Sequence, residues 1–427
     1  MLGHIGMPLS HWLALLEQRH PRAIDLSLER VARVREVMGL HPCFPIILVG
    51  GTNGKGSTCA YLEAILGEQG HKTGLYTSPH LLAYNERVRI NGKDSDDDAI
   101  TAGLAAVEAY RGDNLLTYFE HGTLGAVWQF MHESVGVAIL EVGLGGRLDA
   151  VNVFDPAVSI VTSVDLDHQD WLGDNREAIG FEKAGIFRAA RPAICADPSP
   201  PVSLTRFAGE IGADLQQCNR DFWFERGDGS WRFEWRGQTI ADLPMPLMIG
   251  DHQIRNAAAA LAGLMNLGDR LPVKVTAIQD GLRRARVSGR FQKVAKSPEV
   301  ILDVAHNPEA ARALASNLMA QPVRGRTFAV FALLADKDIK GVVAPLMDIV
   351  DVWHVCALEG PRALPVETLA GRVEGVLQAA PVARFLSPAE GLAAAARVAS
   401  ENDRILVFGS FHTVASVMAA NPTWQLR

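Results

Sequence analysis

The chain has 427 residues, of which 48% are hydrophobic and 21% charged, with a formal net charge of −7. This is the composition of a globular protein with apolar material for two or three domains. The acidic balance excludes a nucleic-acid binder, because no basic stripe is there to neutralise backbone phosphates. Cys43, Cys59, Cys195, Cys218 and Cys356 are scattered without a C-x-x-C pair, as expected of reduced thiols in a cytoplasmic protein. No apolar run approaches the ~20 residues of a membrane span. The first residues, interrupted by His4, Pro8, His11 and Glu17, do not read as an export signal.

Residues 9–40 read as two helices, with Ser10 as N-cap of the first. Ile46-Ile47-Leu48-Val49 reads as a buried parallel strand. A glycine-rich turn follows, then a helix from about Ser57 to Gly70. Residues 72–77 form the next strand, and 91–98 an acidic, solvated turn without the Gly and Glu offsets of an EF-hand. Helices are expected at Asp98–Tyr110 and from about Leu116 to residue 133. The strands Val135–Val142 and Val158–Val164 are followed by Gly143-Leu144-Gly145-Gly146 and Asp165-Leu166-Asp167-His168. The first of these runs lacks the third glycine and the helix of a dinucleotide fingerprint.

A helix near Glu177–Phe187 leads to the strand 192–195. Residues 220–240 alternate aromatic and polar around Gly227-Asp228-Gly229, a β-hairpin signal. An alanine-rich helix at Ile249–Leu267 and a linker at 286–297 precede a second α/β pattern. Its strands are at 300–304, 327–331, 352–355 and 405–408, and its helices at 309–319 and 413–420. Strands alternating with helices predict an α/β protein of parallel sheets covered on both faces. We expect a P-loop ATPase domain over 1–287 and a smaller, Rossmann-like α/β domain over 288–427, with a closing cleft between them.

The chemistry gathers at strand ends. Strand, Gly51-Thr52-Asn53-Gly54-Lys55-Gly56-Ser57-Thr58 turn and helix together form the context of a phosphate-binding loop. Backbone N–H groups converge on phosphate oxygens, Lys55 adds a full charge, and Ser57 or Thr58 offers a hydroxyl to magnesium. Gly56 departs from the usual spacing by separating the lysine from the hydroxyl. Ser78, Glu141, His168 and Asp303 also stand at or just past predicted strand ends. Oxygen donors suit magnesium, and a histidine can be added to them. Glu141 follows a buried apolar run, where an unpaired carboxylate would be costly.

GTNGKGS (51–57), YTSPHL (76–81), NERV (85–88), TYFEHGTL (117–124) and EVGLGGRLDAVN (141–152) stand together in the N-terminal part. DHQDWLG (167–173), EKAGIF (182–187), SGRF (288–291), DVAHNP (303–308), DKD (336–338) and GSFHTV (409–414) follow. On these residues the chain resembles the dihydrofolate synthase/folylpolyglutamate synthase branch of the Mur ligase superfamily over nearly its full length. Gly56 is similar to the folate branch, whereas the cell-wall ligases run lysine straight into Ser or Thr.

The resemblance implies an ATP-dependent ligase joining L-glutamate to dihydropteroate and to reduced folates through an acyl phosphate. It implies ATP held by Asn53, Gly54, Lys55, Gly56, Ser57, Asn256, Arg290 and Asp303. Two Mg2+ ions are implied on Ser57, Ser78, Glu141 and His168, with a carbamylated Lys183 beside the second. His306 and Ser410 match glutamate-placing positions. Ile24, Asp25, Thr117, Tyr118, Phe119, Glu120, Arg147, Asp149 and Ala150 match the pterin-substrate loops. Without the resemblance Lys183 reads as an exposed helix lysine. The implied enzyme is a cytoplasmic monomer that binds neither nucleic acid nor membrane. The rival readings are a single-activity enzyme of the same branch, a Mur-type ligase acting on a UDP-sugar peptide, and a P-loop ATPase that is not a ligase.

Overall fold

The computed structural model describes residues 7–22, 24–377 and 380–424; His4, one of the residues that interrupt the N-terminal apolar run, lies outside them. These residues fall into two compact units. The first holds the chain up to Val164, then Leu172–Leu247 and Ile254–Ala285. The second holds two short strips, Asp165–Trp171 and Met248–Gln253, and the chain from Arg286 onward.

The first unit begins with helices α1 (Leu9–Arg19) and α2 (Glu29–Val37). Its main sheet uses β1 (Ile46–Gly50), β2 (Thr73–Tyr76), β3 (Val88–Ile90), β4 (Lys93–Asp94), β5 (Val137–Glu141), β6 (Val158–Val161), β7 (Pro192–Cys195) and β8 (Asp214–Gln217). The strand order is β4-β3-β2-β5-β1-β6-β7-β8, so β1 lies between β5 and β6 and pairs with both in parallel. Every residue of β1, β5 and β6 is buried, the pattern of a sheet covered on both faces. Each such Ile, Leu or Val contributes roughly 1.5–3 kcal/mol by leaving water.

Helix α3 (Lys55–Gln69) follows β1 and is enclosed almost all round, with Cys59, Tyr61, Leu62, Ile65 and Leu66 fully buried. Next come α4 (Asp97–Tyr110) and α5 (Tyr118–His132). Helices α6 (Gln169–Leu172), α7 (Arg176–Ala184) and α8 (Val202–Ile211) precede β8. A separate antiparallel sheet holds β9 (Phe222–Arg226), β10 (Ser230–Trp235) and β11 (Gln238–Pro244) in the order β11-β10-β9. Helix α9 (Asp251–Met265) buries an unbroken Ala257–Ala262 run, and α10 (Val275–Arg284) closes the unit against α3.

The second unit is a sheet of β12 (Gln292–Lys296), β13 (Glu299–Leu302), β14 (Thr327–Phe331), β15 (Val352–Cys356), β16 (Val382–Phe385) and β17 (Arg404–Phe408). The order is β12-β13-β17-β14-β15-β16. Helices α11 (Pro308–Met319), α12 (Ile339–Val343), α13 (Val366–Glu374) and α14 (Pro388–Val398) connect these strands, and α15 (Phe411–Ala420) follows β17. Phe331, Trp353 and Phe408 centre the core, with Phe331 edge-on to Trp353 at 5.7 Å and tilted on Phe408 at 4.9 Å. No described helix is long and apolar enough to cross a membrane.

Several expectations are corrected. The sheets are not wholly parallel: β3 and β4 run antiparallel at one edge of the first sheet, and β12 at the edge of the second. Ser10 is not an N-cap, because α1 already begins at Leu9 behind Pro8. Helix α3 starts at Lys55, two residues before the expected position. The predicted hairpin is there, but β11 adds a third strand. In the 91–98 turn Asp96 caps α4 through Ala99 N at 2.8 Å.

Candidate active site

The turn after β1 is fastened to the residues just past β6. Thr52 N donates to Ser163 O at 2.8 Å. Asn53 N donates to Ser163 Oγ at 3.1 Å, and Asn53 O accepts from Thr162 Oγ1 at 2.6 Å. Gly51 and Gly54 have φ of +141° and +89°. A Cβ on Gly51 would stand 1.9 Å from Thr162 Oγ1, and one on Gly54 would stand 2.4 Å from Asn256 Oδ1. Both positions need glycine for backbone angle and for space. Asn256, 3% exposed, is thereby set directly against the turn.

No side chain caps α3, so its first N–H groups, with the positive end of the helix, face the turn. Lys55 Nζ reaches back to Gly51 O at 3.0 Å and Thr52 O at 3.2 Å. The lysine charge, the glycine turn and the helix start are thus together in one place, the arrangement that gathers phosphate.

Glu141, the last residue of β5, is 5% exposed, and its Oε2 accepts from Ser78 N at 3.2 Å. A Cβ at Gly56 would lie 3.9 and 4.0 Å from its two carboxylate oxygens. Glu141, Ser78 and the start of α3 with Ser57 are therefore neighbours. Among the described residues no three His, Cys, Asp or Glu side chains converge as a metal cluster. One carboxylate with nearby hydroxyls is the sparse donor set that magnesium takes when phosphates and water supply the rest, so these residues fit that ion. His168, at φ +51°, belongs to the Asp165–Trp171 strip that clusters with the second unit. Lys183 is not an exposed helix lysine: it is 4% exposed on the inner face of α7.

The three segments matched to pterin loops meet in the first unit. Arg30 on α2 donates to Glu120 at 2.8 Å and lies 3.2 Å from the Asp25 carboxylate. Thr117 and Glu120 form a reciprocal capping box at the start of α5, at 2.8 and 3.3 Å. Ile24 is half-buried beside Asp25. Phe119 packs on the Tyr76 ring at 5.7 Å and close against Gly143, where a Cβ would meet it at 2.8 Å. Tyr118 is edge-on to Tyr84 at 5.8 Å, with the Arg87 guanidinium over both rings.

Asp149 is buried and accepts from Leu144 N at 2.8 Å and Val151 N at 3.1 Å, holding the glycine loop and capping the short 3-10 turn Ala150–Val153. Burial raises its pKa to about 7 against these amides. Ala150 is buried, and Arg147 bonds Glu182 at 2.8 Å, leaving its guanidinium over Phe181.

In the second unit Asp303 is half-buried, with its oxygens on Phe291 N and Ala305 N, both at 2.8 Å. Burial raises its pKa despite the nearby Arg290. Arg290 lies over the Phe411 ring at 5.2 Å. Ser410 is the N-cap of α15 through Thr413 N at 3.0 Å. His306 Nδ1 faces Val304 O at 2.8 Å, and its Nε2 is 3.5 Å from Asp167.

Asp167 is a hub that sequence reasoning gave no role. It also takes Asn307 Nδ2 at 3.1 Å and the Lys337 ammonium. Burial opposes its charge, but His306, Lys337 and His168 override that and hold it well below the usual carboxylate range. Thr162, Ser163 and Arg30 were also missed. For the first two, the signal was their place at the end of the strand beside β1.

Comparison with known proteins identifies the family and the fold. Residues 49–264 match the Mur ligase middle domain, and residues 289–411 match the Mur ligase glutamate ligase domain. The dihydrofolate synthase/folylpolyglutamate synthase of Escherichia coli is 47% identical over 412 residues, covering 96% of this chain and 95% of that protein. The structure of E. coli FolC in complex with DHPP and ADP superposes with a TM-score of 0.92 at 47% identity, covering 97% of this chain and 98% of that one. A bifunctional folylpolyglutamate synthase/dihydrofolate synthase with Mn, AMPPNP and L-glutamate bound gives 0.90 at 43% identity, covering 98% and 99%. The chain belongs to the dihydrofolate synthase/folylpolyglutamate synthase family of Mur ligases.

Proposed function

We propose that this chain is an ATP-dependent ligase that joins L-glutamate to dihydropteroate and extends reduced folates by further glutamates. The observation that carries the reading is the glycine turn that sets Lys55 at the open start of α3, with the buried Glu141 alongside. Support comes from relatives of the same family whose structures hold ADP with DHPP, or AMPPNP with Mn and L-glutamate.

A carboxylate is a poor electrophile, so the pteroate carboxylate first attacks the γ-phosphoryl of ATP, giving an acyl phosphate and ADP. The glutamate amine then attacks the acyl carbon, the amide C–N bond forms, and phosphate leaves with the C–O electrons while the amine loses a proton. Asn53, Gly54, Lys55, Gly56 and Ser57 cradle the phosphates, with Lys55 and Arg290 offsetting charge on the transferring group. Asn256, against Gly54, is placed for the nucleoside side, and Asp303 orders the backbone around Arg290.

Ser57, Ser78, Glu141 and His168 would hold two divalent ions, which supply electrostatic stabilisation of the transferring phosphoryl. Carbamylation of Lys183 would turn a buried ammonium into an anion suited to that neighbourhood. Ile24, Asp25, Thr117–Glu120, Arg147, Asp149 and Ala150 would frame the pterin substrate, and His306 and Ser410 the glutamate. The enzyme works as a cytoplasmic monomer without nucleic-acid or membrane partners.

Two assays in parallel test this, following ADP release with glutamate plus dihydropteroate and with glutamate plus tetrahydrofolate. Turnover in both is expected. Turnover only in the first makes the chain a synthase of the monoglutamate, and glutamate-independent ATP hydrolysis in both would overturn the ligase reading.

A further inference from the structure

In the second unit β17 ends at Phe408, and the chain turns at once into α15. Three residues fix that turn. Gly409 stands at φ +114°, and a Cβ there would come within 2.3 Å of Ala332 O. Ser410 commits its hydroxyl to the turn, accepting from Thr413 N at 3.0 Å and meeting Thr413 Oγ1 at 2.7 Å. Thr413 Oγ1 donates to Ala332 O at 2.9 Å. Ser410 and Thr413 are both buried, so this network ties the start of α15 to the residue after β14. The next side chain, half-buried Phe411, is thereby set on a fixed main chain.

Phe411 stands between two residues assigned to the reaction above. The Arg290 guanidinium lies over its ring at 5.2 Å, and the His306 ring is tilted on it at 6.1 Å. His306 is held at both nitrogens, Nδ1 facing Val304 O at 2.8 Å and Nε2 3.5 Å from Asp167. It is therefore a firm wall behind the phenyl ring. The main chains are joined as well. Asp303 binds Phe291 N and Ala305 N, the neighbours of Arg290 and His306, and Val304 N donates to Gly289 O at 2.9 Å. Arg290 itself reaches back to Gly289 O at 3.3 Å, and the Asp303 charge is near it. Attraction to a charge draws a guanidinium in, whereas an aromatic face also sets its plane.

Resting on the ligase reading above, we propose that Phe411 is a positioning residue for Arg290. Its ring, backed by His306 and anchored through the Ser410 cap, sets the plane of the guanidinium that offsets charge on the transferring phosphoryl. Phe411 acts through Arg290 and not on substrate. Its loss should therefore fall on the transition state and spare ground-state binding.

The test uses the full chain with Phe411→Leu and Phe411→Tyr, each alone and combined with Arg290→Ala. Ligation kinetics and Tm are measured. Phe411→Leu is expected to lower kcat about tenfold, with KM for ATP and for glutamate within about twofold of the wild type. Phe411→Tyr keeps the aromatic face and should recover most of that rate. In the Arg290→Ala background, Phe411→Leu should lower kcat by less than about twofold more, because the group it aligns is gone. The Arg290 Nε–H resonance, assigned by its loss in Arg290→Ala, should carry a ring-current shift that Phe411→Leu removes and Phe411→Tyr keeps.

A further loss of about tenfold when Phe411→Leu is added to Arg290→Ala overturns the proposal. So does a wild-type rate in Phe411→Leu. A fall in kcat that follows a lower Tm and is not recovered by Phe411→Tyr marks a merely structural ring and also overturns it. If Phe411→Leu does not fold, Phe411→Met goes through the same cycle and decides by the same readings. Glutamate-independent ADP release by the wild type would count against the ligase reading, and the Arg290 resonance would still decide whether Phe411 aligns the guanidinium.

Discussion

Lys55 donates to two carbonyls of its own turn, so it contributes little to the core and its loss should spare the fold. Lys55→Ala is expected to abolish ligation, read as ADP release, while its Tm shifts by no more than about 2 °C. Gly54→Ala should act differently. It forces an alanine to φ +89° and drives a methyl into Asn256. Nucleotide affinity by calorimetry should fall by about tenfold or more.

His121 shows how burial sets pH sensitivity far from any chemistry. It is fully buried on α5, with one ring nitrogen 3.0 Å from Leu104 O and the other without a hydrogen-bond partner. Burial lowers its pKa to about 4. The unfolded chain takes up that proton near pH 6.5, so stability is full above about 6.5 and declines as pH falls towards 4, by on the order of 3 kcal/mol. Urea midpoints measured from pH 8 to pH 4 should show this decline, and His121→Gln should flatten it.

At the scale of elements, the pterin-loop region depends on Arg30, whose partners Asp25 and Glu120 are far apart in sequence. Arg30→Ala leaves Glu120, 4% exposed, without its cation. The expected loss is roughly 3 kcal/mol in urea unfolding, together with a raised KM for dihydropteroate and little change in KM for ATP.

This pairing also marks the limit of what sequence discloses. The glycine turn was readable because its signal is local, a strand, a turn and a helix start within fourteen residues. Arg30, one arginine among many on an amphipathic helix, carried no mark of its partners. Nor did Asp167 show that it would gather His306, Asn307 and Lys337, residues from more than a hundred positions away. The short edge strands β3, β4 and β12 were missed because antiparallel edges of two to five residues leave no periodicity to read. Helix α12 is only five residues long and α14 is masked by its alanine run, while α8, α10 and α13 went unread. Lys183 was misread by residue type alone, since only packing shows that its face of α7 is the inner one.

At the scale of the whole molecule, the two parts are not beads on a string. The chain leaves the first unit after Val164, returns at Leu172, leaves again after Leu247, returns at Ile254, and departs finally after Ala285. A scissor placed at the obvious linker near residue 286 would therefore strand Asp165–Trp171 and Met248–Gln253 in the wrong fragment. Among these is Asp167, whose partners His306, Asn307 and Lys337 would go with the other half. Halves made separately, or exchanged between relatives, should each carry a torn edge. Evolution by shuffling such halves would have to move both interleaved strips together.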